Sequence, residues 1–146
     1  MDFIMYADGG SRGNPGDAAY GAVVLAADTG EVLAERADYL GIATNNVAEY
    51  SGLVAGLTVV SELKSSGLVE VRMDSRLVVE QMAGRWKIKH PDMRQLAMQA
   101  AKIHPHTHIR YVWVPREQNT LADALCNESL DAVAAGRDGR IFRDYR

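Results

Sequence analysis

The chain has 146 residues, the size of one domain, and 47% of them are hydrophobic, enough to build a real interior. With 24% charged residues and a net charge of −3, it is neither disordered in composition nor basic enough to hold nucleic acid by bulk electrostatics. Its single cysteine, Cys126, excludes an internal disulfide and every cysteine-based zinc site, and fits a reducing compartment.

Residues 2–8, DFIMYAD, read as a short strand, followed by a glycine-rich loop over 9–17, GGSRGNPGD. The Val- and Ala-rich stretch 18–27 reads as a second strand, and Asp28-Thr29-Gly30 is a hairpin turn leading to a third over 31–40. That apolar stretch is well short of the roughly 18 residues a membrane helix needs. Apolar residues at 50, 53, 54, 57, 60 and 63 give helical spacing over 44–64, and Ser65-Ser66-Gly67 ends the helix. Residues 68–74, LVEVRMD, form a fourth strand, parallel to the first and third because a helix connects it. A short helix over 75–83 and another over 91–103, with Pro91 in its first turn, precede a fifth strand, 109–115. The last helix, 119–135, turns Leu121, Ala122, Leu125 and Val133 inward. The tail, 136–146, is polar and weakly structured, although Ile141, Phe142 and Tyr145 could dock. The expectation is an α/β fold with a five-stranded mixed sheet, three antiparallel strands then two parallel, flanked by helices. Residues 1–135 form the domain and 136–146 its tail.

Four acids fall at compatible ends of these elements. Asp8 ends the first strand and Asp74 the fourth; if those strands are neighbours, about 4.8 Å apart, both side chains share one edge of the sheet. The order of the strands is open at this point, and the chemistry favours the fourth beside the first. Glu49 lies near the start of the long helix with Gly52 and Gly56 on its own face, so that face can approach the sheet closely. Asp123 lies in the first turn of the last helix, four residues after Asn119. Crowded carboxylates repel unless a cation neutralises them. A set of acids without Cys or His suits a hard ion such as Mg²⁺ or Mn²⁺, and two such ions can clamp both oxygens of a phosphodiester displacement. Singly, each acid is as easily a turn residue or a helix-dipole partner.

Four segments carry a family resemblance: ADGGSRGNPG around Asp8, TNNVAEY around Glu49, MDSRLVVEQM around Asp74 and NTLADAL around Asp123. In order and spacing they resemble type 1 ribonuclease H, nucleases that cut the RNA strand of RNA–DNA hybrids, over roughly residues 2–135. The resemblance implies a ribonuclease H-like fold, with Asp8, Glu49, Asp74 and Asp123 as catalytic carboxylates binding two Mg²⁺ or Mn²⁺ ions. It also implies nucleic-acid contacts from Gly9, Gly10, Asn14, Asn45, Asn46, Arg76, Arg116 and Asn119. Loop N–H groups and neutral amides suit phosphates, 2′-hydroxyls and base edges. Helix capping is the plain alternative for Asn45 and Asn46.

The departures are as informative. The loop Pro115-Arg116-Glu117-Gln118-Asn119 lacks the histidine many members carry there, Arg76 stands where many have glutamine, and residues 85–90, RWKIKH, are a short remnant of the basic handle. The chain therefore resembles the archaeal and actinobacterial-like branch. Arg116 could contact phosphate in place of that histidine, and Trp86 is open to a stacking or a core role. His104, His106 and His108 read as an exposed connector, Cys126 as a packing residue, and GGSRGNPG lacks the Gly-Lys-Ser/Thr ending of a P-loop.

The expected function is an endonuclease giving 5′-phosphate and 3′-hydroxyl ends, with the RNA–DNA hybrid as partner. It is expected to act as a monomer in the cytoplasm, without a membrane. Two alternatives stand beside it: a nuclease of the same fold acting on duplex RNA or DNA, and a hybrid-binding module without catalysis.

Overall fold

The computed structural model describes residues 1–145. Its strands are β1 (Phe3–Arg12), β2 (Gly16–Ala26), β3 (Val32–Ala43), β4 (Val69–Met73), β5 (Ile109–Trp113) and β6 (Ile141–Asp144). Its helices are α1 (Asn45–Leu63), α2 (Arg76–Met82), α3 (Pro91–Ile103) and α4 (Thr120–Ala134). The sheet order is β5-β4-β1-β2-β3-β6. β4 pairs in parallel with β1, from Phe3 opposite Val69 to Tyr6 opposite Arg72. This neighbour relation brings Asp8, which lies within β1 rather than at its end, beside Asp74, just past the end of β4.

The sheet has six strands rather than five. Tail residues form β6, antiparallel to β3 from Ala37–Ile141 to Ala34–Asp144. Side chains fasten it: Ile141 packs beside Val23, Leu25, Ala37 and Leu125, and the buried Arg36 guanidinium lies over the Phe142 ring at 4.9 Å. The glycine-rich segment also departs from the loop expected of it. Residues 9–12 continue β1, paired through Arg12 opposite Asp17, and only the tip turns. Glycines there mark a strand with something pressed against it, not a break in the strand.

Helices cover both faces. Against α1 lies the larger core, with Met5, Tyr50, Leu53, Leu57, Val71 and Met73 all fully buried. Each such leucine contributes about 1.5–3 kcal/mol over an exposed one. On the other face α4 brings Leu125 to Val23, Leu25 and Ala37. Leu121, expected inside, is 47% exposed, because its neighbours Ala122 and Leu125 take the sheet-facing positions of α4 and leave Leu121 on the outer side. His104 is buried instead of exposed: its Nε2 bonds the Gly67 carbonyl oxygen at 2.7 Å, tying the end of α3 to the turn before β4. Trp86 is 48% exposed, which removes the core reading for it.

Candidate active site

Absent side chains allow the site to form. A Cβ on Gly9 of β1 would run into the α1 backbone at Ala48 and Glu49, and one on Gly52 of α1 would stand 2.6 Å from the Asp8 carbonyl oxygen. With neither atom present, α1 settles onto β1 and delivers Glu49 beside Asp8. Gly21, opposite Asp8 in the β1–β2 ladder, does the same for the second helix. A Cβ there would collide with the Ala122 carbonyl oxygen and stand 2.9 Å from the Cys126 nitrogen, so α4 also lies close and brings Asp123 in.

Asp8, Glu49 and Asp74 each offer a carboxylate oxygen within 4.8 Å of the other two. Asp123 lines the same cleft, together with Arg12, Asn45 and Arg116. Burial, then the charge of Asp74, push Asp8 up to about 7, against the pull of a hydrogen bond from the Gly9 N–H; Asp123 adds to the rise. Glu49 is held well above the ordinary carboxylate range, first by burial and then by Asp8 and Asp74. Its Oε2 is buried without a hydrogen-bond partner. Asp74 is oriented from two sides: Asn119 Nδ2 donates to its Oδ1 and to the Ala7 carbonyl oxygen, both at 2.9 Å, and Trp113 Nε1 donates to its carbonyl oxygen at 3.1 Å. Desolvated, mutually repelling oxygens with one orphaned acceptor, and neither His nor Cys among them, fit a hard divalent cation.

The remaining expected residues divide into groups. Gly9 and Gly10 lie in β1 alongside Asp8, and Arg116 is exposed on the cleft wall. Asn14 and Asn45 stitch the hairpin tip to α1: Asn45 N–H donates to Asn14 Oδ1 at 3.2 Å, and Asn45 Oδ1 accepts from the Ser11 N–H at 2.8 Å. Capping falls to Thr44, whose Oγ1 accepts from the Val47 N–H at 3.3 Å, so neither Asn45 nor Asn46 is the cap. Asn46 is exposed. Arg76, at the start of α2, does not line the cleft; its guanidinium stacks on the Trp113 ring at 4.4 Å. Asn119 is buried and sits within the carboxylate cluster rather than on its surface. Sequence reasoning missed Arg12 and Trp113. Alternation along an extended β1 would have placed Arg12 on the same face as Asp8.

A reverse transcriptase-like family matches residues 6–129. The bifunctional protein Rv2228c of Mycobacterium tuberculosis is 56% identical over 135 residues, 92% of this chain and 37% of that protein. The solved N-terminal RNase H domain of Rv2228c superposes with a TM-score of 0.84 at 53% identity, covering 92% of this chain and 96% of that one. LC11-RNase H1, solved in complex with an RNA/DNA hybrid, gives a TM-score of 0.85 at 39% identity, covering 90% of this chain and 99% of that one. The chain belongs to the type 1 ribonuclease H family. Ribonuclease HI of Halobacterium salinarum is 42% identical over 132 residues, 86% of this chain and 63% of that protein. The chain thus spans little more than a third of the mycobacterial relative's length, and its likeness there is to the ribonuclease H part.

Proposed function

We propose that the chain is a metal-dependent endonuclease that hydrolyses the RNA strand of RNA–DNA hybrids, leaving 5′-phosphate and 3′-hydroxyl ends. The observation that carries this reading is the trio of carboxylates within 4.8 Å of one another, two of them driven upward by burial and mutual repulsion. Asp8, Glu49, Asp74 and Asp123 are the residues to hold the ions, Mg²⁺ or Mn²⁺, two per site. Bound there, such ions supply activation of the attacking water and compensation of charge on the departing 3′-oxygen. Asn119 keeps one Asp74 oxygen engaged and so leaves the other for a ligand. Gly10 presents bare backbone where a sugar-phosphate strand has to come near, beside Gly9, whose other side is taken by α1, and the Asn14–Asn45 stitch holds the hairpin against α1 at the cleft rim. Arg116, on the cleft wall, offers charge to a phosphate, while residues 115–119 contain no histidine to do so. Residues 1–135 carry this chemistry, and the tail closes the β3 edge. The lone cysteine, buried, fits work in the reducing cytoplasm, as a monomer; among the described residues no helix is long and apolar enough to cross a membrane.

Labelled RNA–DNA hybrid, duplex RNA and duplex DNA, each with Mg²⁺ or Mn²⁺, separate this reading from a nuclease of other specificity. Asp8→Asn is expected to lower hybrid turnover by more than about 10³-fold while leaving hybrid binding measurable. Turnover retained in that variant refutes the assignment, and binding without cation-dependent cleavage by the unaltered protein identifies a binding module.

A further inference from the structure

The carboxylate cleft continues away from the cluster as a groove between β1 and α4. Along β1, Asp8, Gly10 and Arg12 alternate onto one face; along α4, Asp123, Asn127 and Asp131 recur at four-residue spacing. Arg12, Gly10 and Asn127 line the same cleft as the four acids. At the far end, Arg12 Nη2 meets Asp131 Oδ1 at 2.6 Å, with the two side chains 45% and 70% exposed. Between the two ends the floor is bare, since even a Cβ on Gly10 would only touch Cys126 Sγ, at 3.8 Å. One end of the groove is therefore strongly acidic, and the other holds a guanidinium whose present partner is an exposed, exchangeable carboxylate.

We propose that Arg12 binds a second backbone phosphate of the strand being cut, and that Asp131 is the counter-ion this phosphate displaces. The proposal rests on reading the cleft as the hybrid-cleaving site. A polyanion has little electrostatic reason to settle on four carboxylates unaided. A guanidinium about 13 Å further along the strand, reckoned at about 3.3 Å per residue, gives the backbone a fixed point beyond the reacting one and sets its register. Guanidinium and phosphate match in a fork that a lysine cannot reproduce. Asp131 keeps Arg12 extended along the groove in the free protein and competes with the incoming phosphate, so the two residues act with opposite sign.

The test is hybrid cleavage and hybrid binding, each against salt concentration, on the whole chain. Arg12→Ala is expected to raise KM roughly five- to tenfold, the loss falling on KM rather than on kcat, and to lower the log–log salt slope of binding by about one. Arg12→Lys recovers part of the affinity and all of the slope. Asp131→Asn is expected to tighten binding about two- to fivefold, the strength of an exposed ion pair, and to do nothing once Arg12 is alanine. An unchanged KM and slope in Arg12→Ala, with normal thermal melting, overturns the proposal. So does an Asp131→Asn gain that persists without Arg12, since that gain comes from net charge alone. If the unaltered protein fails to cut the hybrid, the reading of the site falls and takes this proposal with it. Cleavage by the unaltered protein with indifferent Arg12 variants rejects the Arg12 contact alone.

Discussion

The two helices that carry acids into the cleft begin in different ways. α1 is closed by a conventional cap, Thr44 accepting from the Val47 N–H, and Glu49 follows on a turn locked to β1 by Gly9 and Gly52. α4 begins at Asn119, a good capping residue that does not cap. Its amide is turned away to bind Ala7 and Asp74, and Asp123 follows on a first turn seated on β2 at Gly21. One helix start is built for its own stability. The other gives up its cap to orient a carboxylate on a neighbouring strand. Both helices are seated on the sheet through glycines, so the cap is what separates them, and the acid on the capped helix is expected to matter more.

The sharpest way to break this comparison is to neutralise the two acids in turn. Glu49→Gln is expected to cost about 10³-fold in kcat and Asp123→Asn about 10- to 100-fold, measured on labelled hybrid at saturating cation. Equal losses would show that helix capping has no bearing on the chemistry.

Next in size is an effect of pH on stability, arising where Asp8 and Glu49 crowd. Burial and Asp74 raise Asp8 to about 7, above its ordinary 3.8, so the folded chain keeps a proton that the unfolded chain has already released. Stability is then fully present below about pH 4 and lost as pH rises toward 7, by up to about 4 kcal/mol. Thermal melts in chelator should show that fall, Asp8→Asn should flatten it, and millimolar Mn²⁺ should reverse it above pH 7. A melting temperature that rises between pH 4 and 7 in chelator, with no response to cation, would contradict the crowding.

The smallest effect compares the two caps directly. Asn119→Ala leaves the Ala7 carbonyl and an Asp74 oxygen without a partner and is expected to cost about 1–3 kcal/mol, with a loss of turnover. Thr44→Ala removes a plain cap and is expected to cost about 1 kcal/mol with turnover kept. Urea denaturation paired with kinetics distinguishes them.

Much of this was legible in the residues themselves. The strand end at Asp74 and the helix starts near Glu49 and Asp123 follow from local pattern, and the crowding of acids argued correctly for β4 beside β1, although Asp8 lies within β1 rather than at its end. What could not be read needed a partner from elsewhere in the chain. Gly9 looks like part of a loop until α1 is known to press on it. His104 looks like connector until the Gly67 carbonyl is found beside it. Ile141 and Phe142 look like a tail until Arg36 and the β3 edge receive them. Asn119 is expected among the nucleic-acid contacts, whereas the acceptors it binds, Ala7 and Asp74, are 112 and 45 positions away in the chain.

The covering of β3 by β6 has a practical consequence for handling the protein. A chain cut at Ala135 would uncover a row of backbone donors and acceptors on the long strand β3 and leave Arg36 without Asp144, inviting edge-to-edge aggregation on concentration. Left intact, the tail lies three strands away from β1, about 14 Å across the sheet, so a surface tether or fluorescent reporter joined there would leave the cleft open to its substrate.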